Sequence, residues 1–160
     1  MPPDYSGESP WRRVRQVIRP ANPAAGADWL ATVPAGHVWR VLGISAQLTT
    51  SAAVANRIPF IALGDGVATF WDTPFRDEIA ASLSFRYRLF PTAGAIGYES
   101  WEFAPMPEVD LMPGWTVGSS TTSLQAADQW LNIAINVVDT TVKGGDPSIG
   151  DYPELLIRLV

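Results

Sequence analysis

The chain has 160 residues and a mass of 17.3 kDa, with 47% hydrophobic and only 17% charged residues, a size and balance suited to one domain with a full apolar core. Its net charge of -5 and pI near 4.7 disfavour sequence-independent nucleic-acid binding, which needs surplus positive charge against phosphates. The absence of cysteine excludes disulfides, thiol nucleophiles, cysteine zinc sites and iron–sulfur clusters, and seven Trp argue against disorder.

Residues 1–10 hold three Pro, one Gly and two acidic residues without apolar periodicity, and read as a flexible N-terminal arm. No basic stretch there precedes an apolar one, so no secretory leader is expected, and no window approaches the roughly 18 apolar residues of a membrane span. From Trp11 onward the signal is alternation with β-branched and aromatic enrichment, interrupted by Pro, Gly, Asn and Asp. It predicts strands at 11–19, 28–33, 38–50, 57–63, 68–71, 79–89, 98–103, 115–121 and 129–138, with a further one at 155–160. Residues 51–55 and 124–128 are each long enough for one helical turn at most. The expected fold is all-β, a jelly-roll-like antiparallel β-sandwich. It divides into an arm at 1–10, a sandwich at 11–140, and a loop with a C-terminal strand or tail at 141–160.

Two strands carry this reading. Over 79–89, Ala81, Leu83, Phe85, Tyr87 and Leu89 share one face, while Ser82, Ser84, Arg86 and Arg88 share the other. Over 38–50, both faces are apolar: Leu42 and Ile44 lie on one, Trp39 and Val41 on the other. A strand apolar on both sides implies a covered outer face, so Trp39 and Val41 are expected at an oligomer interface. Two turns, Pro34-Ala35-Gly36 and Pro113-Gly114, each precede a Trp-bearing strand and suit tight reversals between related halves of a sandwich.

Catalytic signatures are scarce. His37 is the single histidine, has no nearby nucleophile or acid in sequence, and reads as an ordinary residue at the start of a strand. One His cannot build the multi-histidine site of a metal-binding cupin. Asp72, Asp77 and Glu78 cluster around Pro74, and Glu99, Glu102 and Glu108 flank Trp101; Glu99–Trp101–Glu102 best imitates a glycosidase cleft, but solvated loop charge explains both groups. Asp65-Gly66 suits a hairpin turn. The expectation is a protein without catalytic residues, metal or cofactor.

Four Arg (Arg12, Arg13, Arg15 and Arg19) crowd beside Trp11 in the first strand. If that strand is extended, Arg12 and Arg13 point to opposite faces. Two readings stand for this cluster: forked guanidinium contacts to an acidic partner, or a solvated edge strand whose charges discourage aggregation.

The strings Asn22-Pro23-Ala24-Ala25-Gly26-Ala27-Asp28-Trp29, Val33-Pro34-Ala35-Gly36, Trp39-Arg40-Val41-Leu42, Leu48-Thr49-Thr50-Ser51-Ala52 and Asn56-Arg57 resemble small structural proteins of tailed bacteriophages. Leu111-Met112-Pro113-Gly114-Trp115 and Leu124-Gln125-Ala126-Ala127-Asp128-Gln129-Trp130 continue the likeness, which spans roughly residues 20–140. It implies a jelly-roll virion protein of the decoration or cement kind, an oligomer (dimer or trimer) on the capsid surface after assembly in the host cytoplasm. Its partner would be the major capsid protein or another virion protein, with no nucleic acid and no membrane involved. No active site comes with the likeness. The residues expected at partner contacts are Trp11, Arg12, Arg13, Arg15, Trp39, Val41, and Leu155, Leu156 and Ile157 of an apolar tail. A tail-tip or fibre-associated glycan-binding module is the alternative, with Trp101, Glu99 and Glu102 as its candidate platform.

Overall fold

The computed structural model describes residues 11–75, 78–91, 96–98 and 100–142. Alternation of apolar and polar residues produces eleven strands: β1 (Trp11–Ile18), β2 (Leu30–Thr32), β3 (His37–Thr49), β4 (Ile58–Gly64), β5 (Thr69–Pro74), β6 (Ser84–Phe90), β7 (Ile96–Tyr98), β8 (Trp101–Pro105), β9 (Asp110–Leu111), β10 (Thr116–Thr122) and β11 (Gln129–Val142). No helix occurs among the described residues, so 51–55 and 124–128 are bends and turns. The chain is an all-β sandwich. The larger sheet runs β1-β11-β3-β6-β8-β7, with β9 added to β3, and the smaller runs β2-β10-β4-β5.

The larger sheet is mixed, where a wholly antiparallel one was expected. The chain returns after β6 to lay β8 beside it in parallel, with Arg86 opposite Trp101 and Arg88 opposite Phe103. The strand expected over 98–103 is therefore two strands, β7 and β8, which pair antiparallel. The strand expected from residue 79 begins at Ser84, because Ser82 takes a left-handed φ of 59° in a turn, and Ile79 makes only an isolated bridge to Arg57. The strand expected at 155–160 lies outside the described residues.

The inner faces of both sheets meet in one apolar core. Phe75 and Tyr87 pack as a tilted pair with centroids 4.1 Å apart, and the Tyr87 centroid lies 5.8 Å from that of Trp130. The Trp130 indole N–H donates to Asp28 Oδ1 at 3.0 Å, and the same carboxylate accepts the hydroxyls of Ser119 and Thr121 and the Thr121 backbone N–H. One acid thus joins the β1–β2 connection, β10 and β11 where an indole N–H would otherwise be buried unpaired.

The two Pro–Gly turns lie against each other, with Val33 N–H donating to Trp115 O at 2.8 Å and Gly114 N–H to Val33 O at 2.9 Å. Gly36 and Gly114 carry φ of 78° and 83°, the left-handed values these reversals require.

The two-sided apolarity of β3 has a local cause. Trp39 and Val41 are 3% and 1% exposed and belong to the core together with Ile44, Ala46 and Leu48. Strict alternation cannot bury both sets on one face, since two residues, Leu42 and Gly43, separate Val41 from Ile44. The β3–β11 register shifts there, pairing Gly43 with Asn136 and Val41 with Val137, so Leu42 is the extra residue of a β-bulge. Trp39 and Val41 therefore face the chain's own core. They are not interface residues, and the expectation of an oligomer contact built on them is corrected.

Candidate functional site

A second bulge shapes the outer face of the larger sheet. Between Leu131 and Ala134 of β11 the register with β3 shifts again, and Asn132 adopts a φ of 53°, rare for a residue other than glycine. Bulges and left-handed residues gather where a sheet must re-aim a side chain. Here Asn132 turns its amide toward β3, donating to Gln47 Oε1 at 3.1 Å. Gln47 is held from the other side too: its Nε2 donates to Ser84 Oγ at 2.7 Å, and its Oε1 accepts Arg86 Nε at 3.3 Å.

Next to this amide pair, Arg86 and Arg88 project from the wet face of β6, and Trp101 projects from the parallel neighbour β8. The guanidinium carbons lie 5.0 Å and 4.4 Å from the Trp101 ring centroid, within cation–π range, and Phe103 lies nearly parallel to the indole with its centroid 6.3 Å away. Ser45, Gln47, Arg86, Arg88, Trp101 and Asn132 line a groove of about 240 Å³. Among the described residues neither Arg86 nor Arg88 has a carboxylate within ion-pair distance, although the chain is acidic overall.

Trp101 thus sits at a candidate site, but not with the partners expected from sequence. Alternation along β8 sends Glu102 inward, where it is 4% exposed, so it shares no surface with Trp101. Glu99 lies outside the described residues. The platform is flanked by guanidiniums and amides. The alternation of 79–89 already placed Arg86 and Arg88 on the wet face; what sequence could not supply was the parallel pairing that sets Trp101 beside them.

The remaining candidates fall elsewhere. Among the described residues β1 pairs with β11 along one side only and ends the larger sheet. Arg12, Arg13, Arg15 and Arg19 are all exposed on or beside it, with Val14 and Val17 partly exposed between them. Ile18 packs on the core, so alternation turns Arg13 and Arg15 to the outer face and Arg12 to the opposite one, the split expected for an extended strand. Trp11 pairs with Val142 across the first rung of β1 and β11. Leu155, Leu156 and Ile157 lie outside the described residues. Asp65 caps the β4–β5 turn, accepting Val67 and Ala68 N–H at 2.8 and 2.7 Å, and these two donors hold its carboxyl below the ordinary carboxylate value.

His37 has a partner that sequence distance conceals. Its Nδ1 lies 3.0 and 2.8 Å from the two oxygens of Asp139, which also accepts Gln16 Nε2 at 2.7 Å. The three residues bind β1, β3 and β11 together at one end of the sheet. Among the described residues no group of three or more His, Asp or Glu is placed to hold a metal.

Two Arg–Asp pairs differ sharply in setting. Arg40 and Asp110 face each other across β3 and β9, with forked bonds of 2.8 and 2.9 Å, and Asp110 raises the Arg40 pKa above its usual value. Arg40 is half exposed, so we expect Arg40→Gln to lower stability by less than about 1 kcal/mol, measured by urea denaturation. Arg57 and Asp128 are both wholly buried. Arg57 Nε and Nη2 donate to Asp128 Oδ2 and Oδ1 at 2.8 and 2.9 Å, and Nη1 donates to Ala55 O at 2.7 Å. Asp128 also accepts the backbone N–H groups of Ser51 and Gln125, both at 2.8 Å, and the Ser51 hydroxyl at 2.9 Å. Burial by itself would raise its pKa; the donors, led by Arg57, outweigh that and lower it to about 2. The pair welds the β3–β4 loop to the β10–β11 loop at one end of the sandwich.

Comparison of the chain with protein-family models, with curated proteins and with solved structures finds no match.

Proposed function

We propose that this chain is a non-enzymatic structural protein of a virion, a decoration or cement protein that fastens neighbouring shell subunits by binding alone. The observation that carries the reading is the corner where β1 meets β11. Trp11 and Val142 are backbone partners there, at the end of the β1–β11 ladder. Beside that corner, β1 has β11 as its one neighbour among the described residues and bears exposed Arg13 and Arg15. An edge strand with forked cations suits the addition of an acidic strand from a partner, with main-chain hydrogen bonds supplying affinity and guanidiniums supplying specificity.

The strand order supports the finer jelly-roll reading. N-terminal and C-terminal strands alternate in both sheets, as β1-β11-β3-β6 facing β2-β10-β4-β5. A hairpin of the two chain halves rolled over on itself would generate this order, and shell proteins of viruses use such rolls.

The test is co-sedimentation with the cognate empty shell. The wild-type protein is expected to pellet with shells, and Arg13→Glu/Arg15→Glu is expected to lose at least tenfold in affinity with an unchanged melting temperature. Equal binding by the charge-reversed variant would remove the β1 edge as the contact, and a wild-type protein that ignores shells would sink the cement reading. Light scattering on the same samples reads the oligomeric state, for which Trp39 and Val41 no longer supply a reason. A second reading, a glycan-binding module of a tail tip or fibre, draws support from the groove around Trp101.

A further inference from the structure

We propose that the Trp101 groove is a binding site for a carboxylate-bearing saccharide, with Arg86 and Arg88 clamping the acid and the Asn132 amide, anchored on Gln47, meeting ring hydroxyls. The inference rests on the second reading above, that the groove takes a glycan, and names the class.

Three features point to an acidic ligand. Arg86 and Arg88 stand two residues apart on one face of β6, so their like charges repel, yet no carboxylate among the described residues neutralises either. With no carboxylate of the described residues at this pair, there is room for one that arrives with a ligand. Both guanidiniums rest near the Trp101 ring, at 5.0 and 4.4 Å, which limits their side-chain freedom and leaves N–H edges open to the groove. Forked N–H donors match the two oxygens of a carboxylate.

The rest of the groove points to a sugar. Gln47 is immobilised by bonds to Asn132, Arg86 and Ser84, and Asn132 is held in a left-handed conformation on a bulge. Asn132 spends one amide N–H on Gln47, and its Oδ1 and second N–H supply the acceptor and donor that ring hydroxyls require, while Ser45 adds a hydroxyl. A volume of about 240 Å³, open to solvent along the sheet, suits one ring-sized residue of a longer chain. The site is carried on strands, so little ordering is needed on binding. A nucleic acid is a poorer fit, because a net charge of -5 repels a polyanion that two arginines alone would have to hold.

The experiment titrates the full chain with α-methyl N-acetylneuraminide, a glucuronate-containing disaccharide, lactose and propionate, followed by Trp fluorescence and amide NMR shifts. The expected result is that at least one of the two acidic sugars binds, with shifts confined to β3, β6, β8 and the Asn132 bulge. Lactose and propionate are expected to bind at least tenfold more weakly. Arg88→Gln and Arg86→Gln are each expected to weaken the acidic sugar roughly ten- to a hundredfold, the loss expected for one charge-assisted contact. Both residues are exposed, so these variants keep the wild-type melting temperature. Lactose binding as tightly as the acidic sugars would overturn the carboxylate clamp while leaving the groove a glycan site. Propionate binding equally well would make it a simple anion clamp and overturn the saccharide. If none of the four ligands moves the groove resonances at millimolar concentration, both this proposal and the glycan reading fall.

Discussion

Replacing Asp128 with Ala is expected to destabilise the sandwich by about 3–5 kcal/mol, the usual cost of stranding one member of a buried ion pair. In a chain of this size that corresponds to a fall in melting temperature on the order of 10 °C. The cause is specific. Arg57 is wholly buried and spends two of its donor positions on Asp128, so the substitution leaves a guanidinium with only Ala55 O and the Ser51 hydroxyl. It also strands the backbone N–H groups of Ser51 and Gln125. For the second reason, the paired change Arg57→Met/Asp128→Leu is expected to recover only part of the loss, because no hydrophobic side chain can accept from those two amides. A double variant as stable as wild type would mean that the amides find other acceptors.

The same carboxyl sets an acid limit. Its pKa in the folded chain is about 2, below the value of about 4 of an unfolded Asp, so its contribution is complete above pH 4 and lost as pH falls from 4 through 2. The shift corresponds to about 2 kcal/mol. Urea denaturation of wild type between pH 5 and pH 2 should therefore show a drop that Asp128→Ala lacks, and parallel curves for the two proteins would contradict the assignment.

Deleting Leu42 is expected to leave a folded sandwich, at a cost no larger than that of Leu42→Ala, about 1–2 kcal/mol. Leu42 is the residue of β3 without a partner in β11, since Gly43 pairs with Asn136 and Val41 with Val137. Without it the strand reads Val41-Gly43-Ile44, so strict alternation keeps Trp39, Val41 and Ile44 on the core face and Arg40 opposite Asp110. A collapsed amide spectrum or a non-cooperative melt for the deletion variant would show that the bulge itself is required. The alanine variant separates residue count from side-chain loss.

Asn132 and Leu42 also explain why the outer face was harder to read than the core. Alternation named most strands within a few residues, because an inward apolar side chain at every second position is a local property. It failed where one extra residue enters a strand. Along β3 the phase changes at Leu42, and apolar residues on both apparent faces mimic an interface. Along β11 the inward residues Trp130 and Ile133 are three apart, and the intervening Asn132 is the one that reaches into the groove. Nothing in the letters marks either bulge, since Asn and Leu are ordinary strand-compatible or turn residues until the partner register is known.

Sequence alone determined the all-β class, the Pro–Gly reversals, the wet placement of Arg86 and Arg88, and the exposed arginines of the first strand. Each follows from spacing within about ten residues or from residue chemistry. Only the tertiary structure decided that Trp101 stands beside Arg86 and Arg88, that Glu102 is turned away from it, and that Arg57 meets Asp128 and His37 meets Asp139. Those pairings join residues separated by 13 to 102 positions, through a parallel strand return, register shifts and facing loops. They depend on where strands cross in space, and a one-residue change in register would replace each partner with another.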